Sequence, residues 1–228
     1  MGSQCSVHGS RLTNHGFHYT YSVDVRRSVL VSLLMSLLAA SSARGADRVL
    51  VCYGDSITAG NGLEDGQSYP DALRSLLTAE GYHYSVLNRG TSGATTKDAV
   101  DDLPLILALH PSVVIVEFGG NDGLRGLPLD QTSHNLDQIL TSLQAAHVRV
   151  LLAGITLPPN YGPDYIRSFQ QVYRTMAARH HVAFVPMIYK DLINVPGAIQ
   201  PDGIHPTAKG SQILAKTLLP ALKPLLAK

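Results

Sequence analysis

No tryptophan occurs in the chain, aromatic residues make up only 6%, and there are two cysteines. The first two scarcities argue against a site built on aromatic rings stacked on sugars. The third leaves no framework for disulfides and no thiolate set for zinc. Charged residues are also few, at 15% with a net charge of +1, and no Lys/Arg run is interleaved with aromatics. That pattern argues against a nucleic-acid binder that relies on a broad phosphate-neutralising surface. No apolar run reaches the ~20 residues of a membrane-spanning helix, and there is no internal repeat, low-complexity tract or interdomain linker. The partners expected are small molecules.

The 228 residues suffice for one sizeable core, and 45% are apolar. The first 43 read separately. Arg26 and Arg27 precede the apolar run "SVLVSLLMSLLAA", and the small-residue stretch "SSARGA" follows. This order is that of a secretory signal peptide, with cleavage near Ser42 or Ala43, although residues 1–25 are polar and longer than a usual leader. An uncleaved anchoring helix is the alternative. Residues 1–43 are therefore assigned as leader and signal peptide, and 44–228 as one domain, periplasmic or secreted and without a stable membrane span. Removing Arg11, Arg26, Arg27 and Asp24 with the leader leaves 15 Lys/Arg against 16 Asp/Glu. Cys5 leaves too, so Cys52 is expected as a small buried hydrophobe.

In the remaining chain short β-branched runs alternate with longer amphipathic ones. The runs are "RVLVCYG" from Arg48, "YSVLNRG" from Tyr84, "SVVIVEFGG" from Ser112, "VRVLLAGI" from Val148 and "VAFVPMI" from Val182. Continuous apolar strands separated by helix-length segments predict a five-stranded parallel sheet inside a three-layer α/β/α sandwich. The last helix is expected to begin with Pro206 at its first position. The stretch Leu157 to Phe169, carrying Pro158, Pro159, Gly162 and Pro163, reads as a long loop beside the site.

Ligands of open α/β sheets bind at the carboxyl ends of the strands, and four polar clusters fall there. They are Gly54-Asp55-Ser56, Gly90 to Gly93, Gly119 to Asp122, and "PDGIHP" from Pro201 to Pro206. A serine nucleophile needs a base, and the base needs an orienting group. Asp202 can reach His205 Nδ1 across a turn, leaving Nε2 for Ser56, and Pro206 keeps His205 out of the helix. The Ser56 N–H, the Gly93 N–H and the Asn121 carboxamide are candidate donors to an oxyanion. Each has a plainer reading: Ser56 as an N-cap, Gly93 as a turn residue, Asn121 as a turn or cap. Asp202, His205 and Asp55 as metal ligands are a further alternative, with no third imidazole or thiolate to join them.

The motifs "GDSITAG" (Gly54 to Gly60), "NRGTSGATT" (Asn88 to Thr96), "GGNDGLRG" (Gly119 to Gly126) and "DGIHP" (Asp202 to Pro206) together resemble the GDSL, or SGNH, hydrolases. The likeness covers essentially the whole chain after the leader, and its four letters fall on Ser56, Gly93, Asn121 and His205. With "LPPNYGPDYIRSF" it extends to the periplasmic branch of multifunctional thioesterase I, protease I and lysophospholipase, or arylesterase. The resemblance implies a flavodoxin-like sheet in order 2-1-3-4-5 and a serine esterase that cleaves carboxylic esters or thioesters through an acyl-enzyme. It implies no cofactor and no metal, catalytic Ser56, Asp202 and His205, and an oxyanion hole of Ser56, Gly93 and Asn121.

The substrate expected is a small-molecule or lipid acyl ester, with Leu157, Tyr161 and Tyr165 lining its site; Asp55 and Asp122 are expected to organise loops. Ala94 departs from the family, which often has an acidic residue there. No GxSxG elbow occurs, which removes the central feature of an α/β-hydrolase. Rival readings are a carbohydrate acetylesterase on the same fold and a non-catalytic binding module. The leader assignment predicts that intact-mass analysis of the exported protein finds an N-terminus near Arg44; retention of residues 1–43 would refute cleavage.

Overall fold

A computed structural model describes residues 48–227; the leader assigned to residues 1–43 lies outside the described residues. Five strands form one sheet, all parallel: β1 (Arg48–Gly54), β2 (Tyr84–Gly90), β3 (Val113–Glu117), β4 (Arg149–Ala153) and β5 (Ala183–Val185), in order β2-β1-β3-β4-β5. Every residue of β3 is buried, as are the last five of β1 and the last four of β4. Burial on both faces is why these segments read as unbroken apolar runs without a period of two.

The helices are α1 (Ser56–Ala59), α2 (Tyr69–Ala79), α3 (Thr96–Leu107), α4 (Gly120–Leu124), α5 (Leu129–Ala145), α6 (Pro163–His180) and α7 (Ala208–Leu222). In contact terms α2 packs on α7, α3 on α5, and α5 on α6, giving the two helical layers around the sheet. Local chemistry sets their starts. Thr95 and Asp98 form a reciprocal capping box on α3, and Pro70 sits in the first turn of α2, where its missing N–H costs nothing.

Strands β4 and β5 are shorter than the apolar runs that announce them, and three other boundaries differ from the sequence expectation. β3 stops at Glu117, because Gly119 takes φ +110° and turns the chain into α4. Pro206 is not the first residue of α7; Thr207 is its N-cap, accepting from the Gly210 N–H, while Pro206 bridges Ile199 in a short antiparallel hairpin. The long loop is also shorter than expected. A 3₁₀ turn covers Pro159–Tyr161 and Pro163 begins α6, so Tyr165 and Phe169 are helical residues.

Helix ends at the opposite rim of the sheet carry an unusual residue. His110, His147 and His181 have φ of +49°, +59° and +51°, each just after a helix, where glycine is the ordinary choice. At α5, His147 N–H bonds Gln144 O and Val148 N–H bonds Leu143 O, so the capping bonds form without glycine. The left-handed conformation costs a side-chain-bearing residue about 1 kcal/mol. His181→Gly should therefore raise stability by about that amount, or roughly 2–4 °C in melting temperature for a domain of this size; an unchanged or lower melting point would show that His181 is not strained.

Candidate active site

The order in which strands are added to the sheet reverses between β1 and β3, and the crevice at such a point is where a doubly wound sheet takes its ligand. Gly54 pairs with Gly90 of β2 and lies level with Glu117 of β3, so three strands end on one line. The loops leaving them carry Asp55-Ser56, Ser92-Gly93 and Gly120-Asn121 to the same rim.

Ser56 is the first residue of α1. Asp55 caps that helix, its Oδ1 accepting the Ile57 N–H at 3.0 Å. The Ser56 hydroxyl lies 2.9 Å from His205 Nε2, and His205 Nδ1 lies 2.7 Å from Asp202 Oδ2. The other oxygen of Asp202 accepts the N–H groups of Ile204 and His205 at 2.9 and 3.0 Å. Although burial works upward on it, these bonds and the His205 side chain hold the Asp202 carboxyl down at about 2. It therefore stays anionic across the working range, orienting the imidazole so that Nε2 faces the hydroxyl.

Gly93 has φ +81°, a conformation that suits glycine, and its carbonyl accepts from Arg125 Nη2 at 2.7 Å. Among the described residues neither the Ser56 nor the Gly93 N–H has a protein acceptor. Asn121 differs. Its Nδ2 donates to Asp55 Oδ2 at 3.2 Å and to the Ala94 carbonyl at 3.0 Å, so both amide hydrogens already have acceptors. It meets an oxyanion only by sharing or exchanging one of them.

Beside these groups opens a cavity of about 680 Å³ whose wall includes Ser56, Gly93, Asn121 and His205. Its remaining lining is largely aliphatic: Leu124, Ile155, Leu157, Ile166, Ile193 and Ile204, with Pro158 and Pro159. Leu157 lies in this wall. Tyr161 and Tyr165 are not in the wall. The Tyr161 hydroxyl donates to Leu124 O at 2.7 Å and its ring stacks on Tyr165, tying the 3₁₀ turn to the end of α4.

Beneath α1 lies a group the motif reading missed. Glu117 is fully buried; its Oε2 accepts from the Thr58 hydroxyl at 2.8 Å, and its Oε1 has no partner. Burial, then the nearby Asp55 charge, push its carboxyl well above the ordinary value, so it is held neutral. The sequence signal was available: one acid at the end of "VVIVE". Gly54 is dictated by this contact, since a Cβ there would lie 2.0 Å from Thr58 Oγ1 and 2.7 Å from Glu117 Oε2. Asp122 ties α4 to α3 through the Thr96 N–H at 2.9 Å and the Thr96 hydroxyl. Cys52 is buried and free, its thiol pushed up to about 12 by burial. Among the described residues no group of three or more His, Cys, Asp or Glu is placed to hold a metal ion.

Residues 52–213 match the GDSL-like lipase/acylhydrolase family. The chain belongs to it. Relatives of this GDSL hydrolase include esterase TesA of Pseudomonas aeruginosa, 41% identical over 88% of this chain and all of that one. Thioesterase 1/protease 1/lysophospholipase L1 of Escherichia coli strain K12 is 35% identical over 84% of this chain and 91% of its own. The crystal structure of TesA superposes with a TM-score of 0.76 at 42% identity, covering 78% of this chain and 100% of that one. The chain is accordingly a serine ester hydrolase.

Asp55 offers a test of the site's electrostatics. Burial raises its carboxyl from 3.8 to about 6, against the lowering pull of the Ile57 N–H, His205 and Asn121. A raised native value means that the folded protein holds the proton more tightly than the unfolded one. The resulting stabilisation is complete below the unfolded value and is lost as pH rises toward about 6. Asp55→Asn, which keeps an acceptor for Ile57, should flatten urea-unfolding stability between about pH 4 and about pH 6; an unaltered pH dependence would refute the buried-acid account.

Proposed function

We propose that the chain hydrolyses esters and thioesters of apolar acyl groups through an acyl-enzyme on Ser56. The observation that carries the substrate class is the aliphatic cavity opening directly on the Ser56 hydroxyl. Its volume is that of a small-molecule site, and its lining offers an acyl chain apolar surface at about 25 cal/mol per Å² buried. The relatives' names, esterase and thioesterase/lysophospholipase, are consistent with this chemistry.

In the proposed path the Ser56 oxygen attacks the carbonyl carbon while His205 Nε2 takes the hydroxyl proton. The new oxyanion accepts from the Ser56 and Gly93 N–H groups and from Asn121, which releases one of its present acceptors. The imidazolium, stabilised by anionic Asp202, then protonates the departing alkoxide or thiolate. A water activated by His205 attacks the acyl carbon, and Ser56 regains its proton as the acid leaves. No cofactor enters this sequence of steps. His205 starts each half-reaction with Nε2 free to accept a proton, its Nδ1 held by anionic Asp202.

Export is proposed as well, on the leader pattern of residues 26–43. Among the described residues no helix is long and apolar enough to cross a membrane.

Ser56→Ala should cut kcat for an aryl ester by at least about 10⁴-fold with the fold intact, and Asn121→Ala by about 10²–10³-fold. Measured on residues 44–228 with aryl esters of rising acyl length, kcat/KM should climb from acetyl as the chain fills the cavity. Undiminished turnover by Ser56→Ala would overturn the nucleophile assignment, and a flat length profile the acyl cavity.

A further inference from the structure

We propose that Gln200 is a positioning residue that fixes the distance between the Ser56 hydroxyl and the His205 imidazole. The proposal rests on the catalytic roles given above and adds a residue that none of the motifs contains.

The base and its orienting group sit on a hairpin that is braced internally. Thr207 N–H bonds Ala198 O at 2.9 Å, Gln200 N–H bonds His205 O at 2.8 Å, and Gly203 N–H closes a turn on Gln200 O at 3.0 Å. With the two backbone bonds to Asp202, these contacts set Asp202 against His205. They do nothing to place the hairpin against Ser56, which is 149 residues away in sequence.

The side chain of Gln200 makes that connection. Its Nε2 donates to Asn61 O at 2.8 Å and to Pro206 O at 2.9 Å. Pro206 follows the base directly. Asn61, on the other side, donates its own N–H to the Ser56 carbonyl at 3.0 Å. One amide nitrogen, with one hydrogen for each side, therefore joins the backbone of the nucleophile's helix to the backbone of the base's hairpin. Two facing carbonyls cannot bond each other, so a double donor is the chemistry that the gap requires. The amide is also confined: a Cβ on Gly62 would come within 2.6 Å of Gln200 Oε1. A second tie, from the Tyr189 hydroxyl to Ile204 O at 2.7 Å, anchors the hairpin to the segment after β5 and leaves α1 untouched.

The direct Ser56–His205 bond cannot perform this task through the cycle. Once Oγ is acylated it has no proton to share, yet His205 must still stand where it can activate water for deacylation. The Gln200 bridge involves no atom that reacts, so it persists in every intermediate.

The test uses Gln200→Met, which keeps length and loses both donors, and Gln200→Glu, which points a carboxylate at two carbonyls. Each is made alone and in a His205→Ala background, and kcat, KM and melting temperature are measured with a short aryl ester. In the wild-type background kcat should fall about 10- to 100-fold with KM within about twofold. In the His205→Ala background the same substitutions should add less than about twofold, because there is no base left to misplace. Wild-type kcat in either folded Gln200 variant would overturn the proposal, as would equal losses in both backgrounds. If Gln200→Met fails to fold, Gln200→Glu decides alone. Full turnover by Ser56→Ala or His205→Ala would instead refute the underlying assignment, independently of Gln200.

Discussion

The registered ending of β2, β1 and β3 is the constraint on which the site depends. Gly54 is flanked by Gly90 on one side and Glu117 on the other across two parallel ladders, so the residues that follow them leave the sheet at one height. A parallel ladder slipped by one residue would reverse the face of every side chain on that strand, and here both faces are packed. The apolar residues of β1 and β3 thus hold the Ser56 and Asn121 loops level. Register is fixed by burial in the middle of the strands, while the chemistry is carried just past their ends.

At that level the protein sets two acids under the Ser56 turn in place of an apolar floor. Glu117 and Asp55 both resist ionisation because water is excluded; the Asp55 charge pushes Glu117 further up, and the Asp122 charge does the same to Asp55. A neutral Glu117 accepts from Thr58, anchoring α1 from below, while Asp55 caps the same helix and holds Asn121. Two ionised carboxylates here would repel each other in a medium that screens weakly. The arrangement therefore gives acceptor groups to the Ser56 turn without placing two full charges beneath it.

How far the sequence disclosed this varies with the kind of information. The strands were legible because a sheet buried on both faces demands unbroken apolar runs, and the site clusters because Gly, Asp, Ser and Asn gathered at their ends. Strand order came from the motif resemblance, since spacing alone does not order a parallel sheet. Pro206 misled, because the proline geometry that suits a first helical position also suits the hairpin bridge it makes with Ile199. Tyr161 and Tyr165 misled because the proline-rich stretch is a 3₁₀ turn followed at once by α6, and neither ring is part of the cavity wall. Glu117, Arg125 and Gln200 carry contacts between segments far apart in the chain, and no local pattern encodes such partners.

The contacts around Gln200 also separate two properties that a single fold is often taken to supply together. The hydrophobic core joins the sheet to α2, α3, α5, α6 and α7 and carries the bulk of the stability; the hairpin from Ala198 to Thr207 lies at its margin, held largely by backbone bonds. Asp202 and His205 are carried by that hairpin, and Ser56 by the end of β1 and the start of α1. Shifting one part against the other by a fraction of an ångström leaves the core packing intact, yet it alters the Ser56–His205 distance across which the proposed path moves a proton. Since proton transfer depends on hydrogen-bond reach, activity is sensitive to contacts that contribute little to global stability. The few polar ties between the parts are therefore where this GDSL hydrolase is most exposed to loss of function without loss of fold.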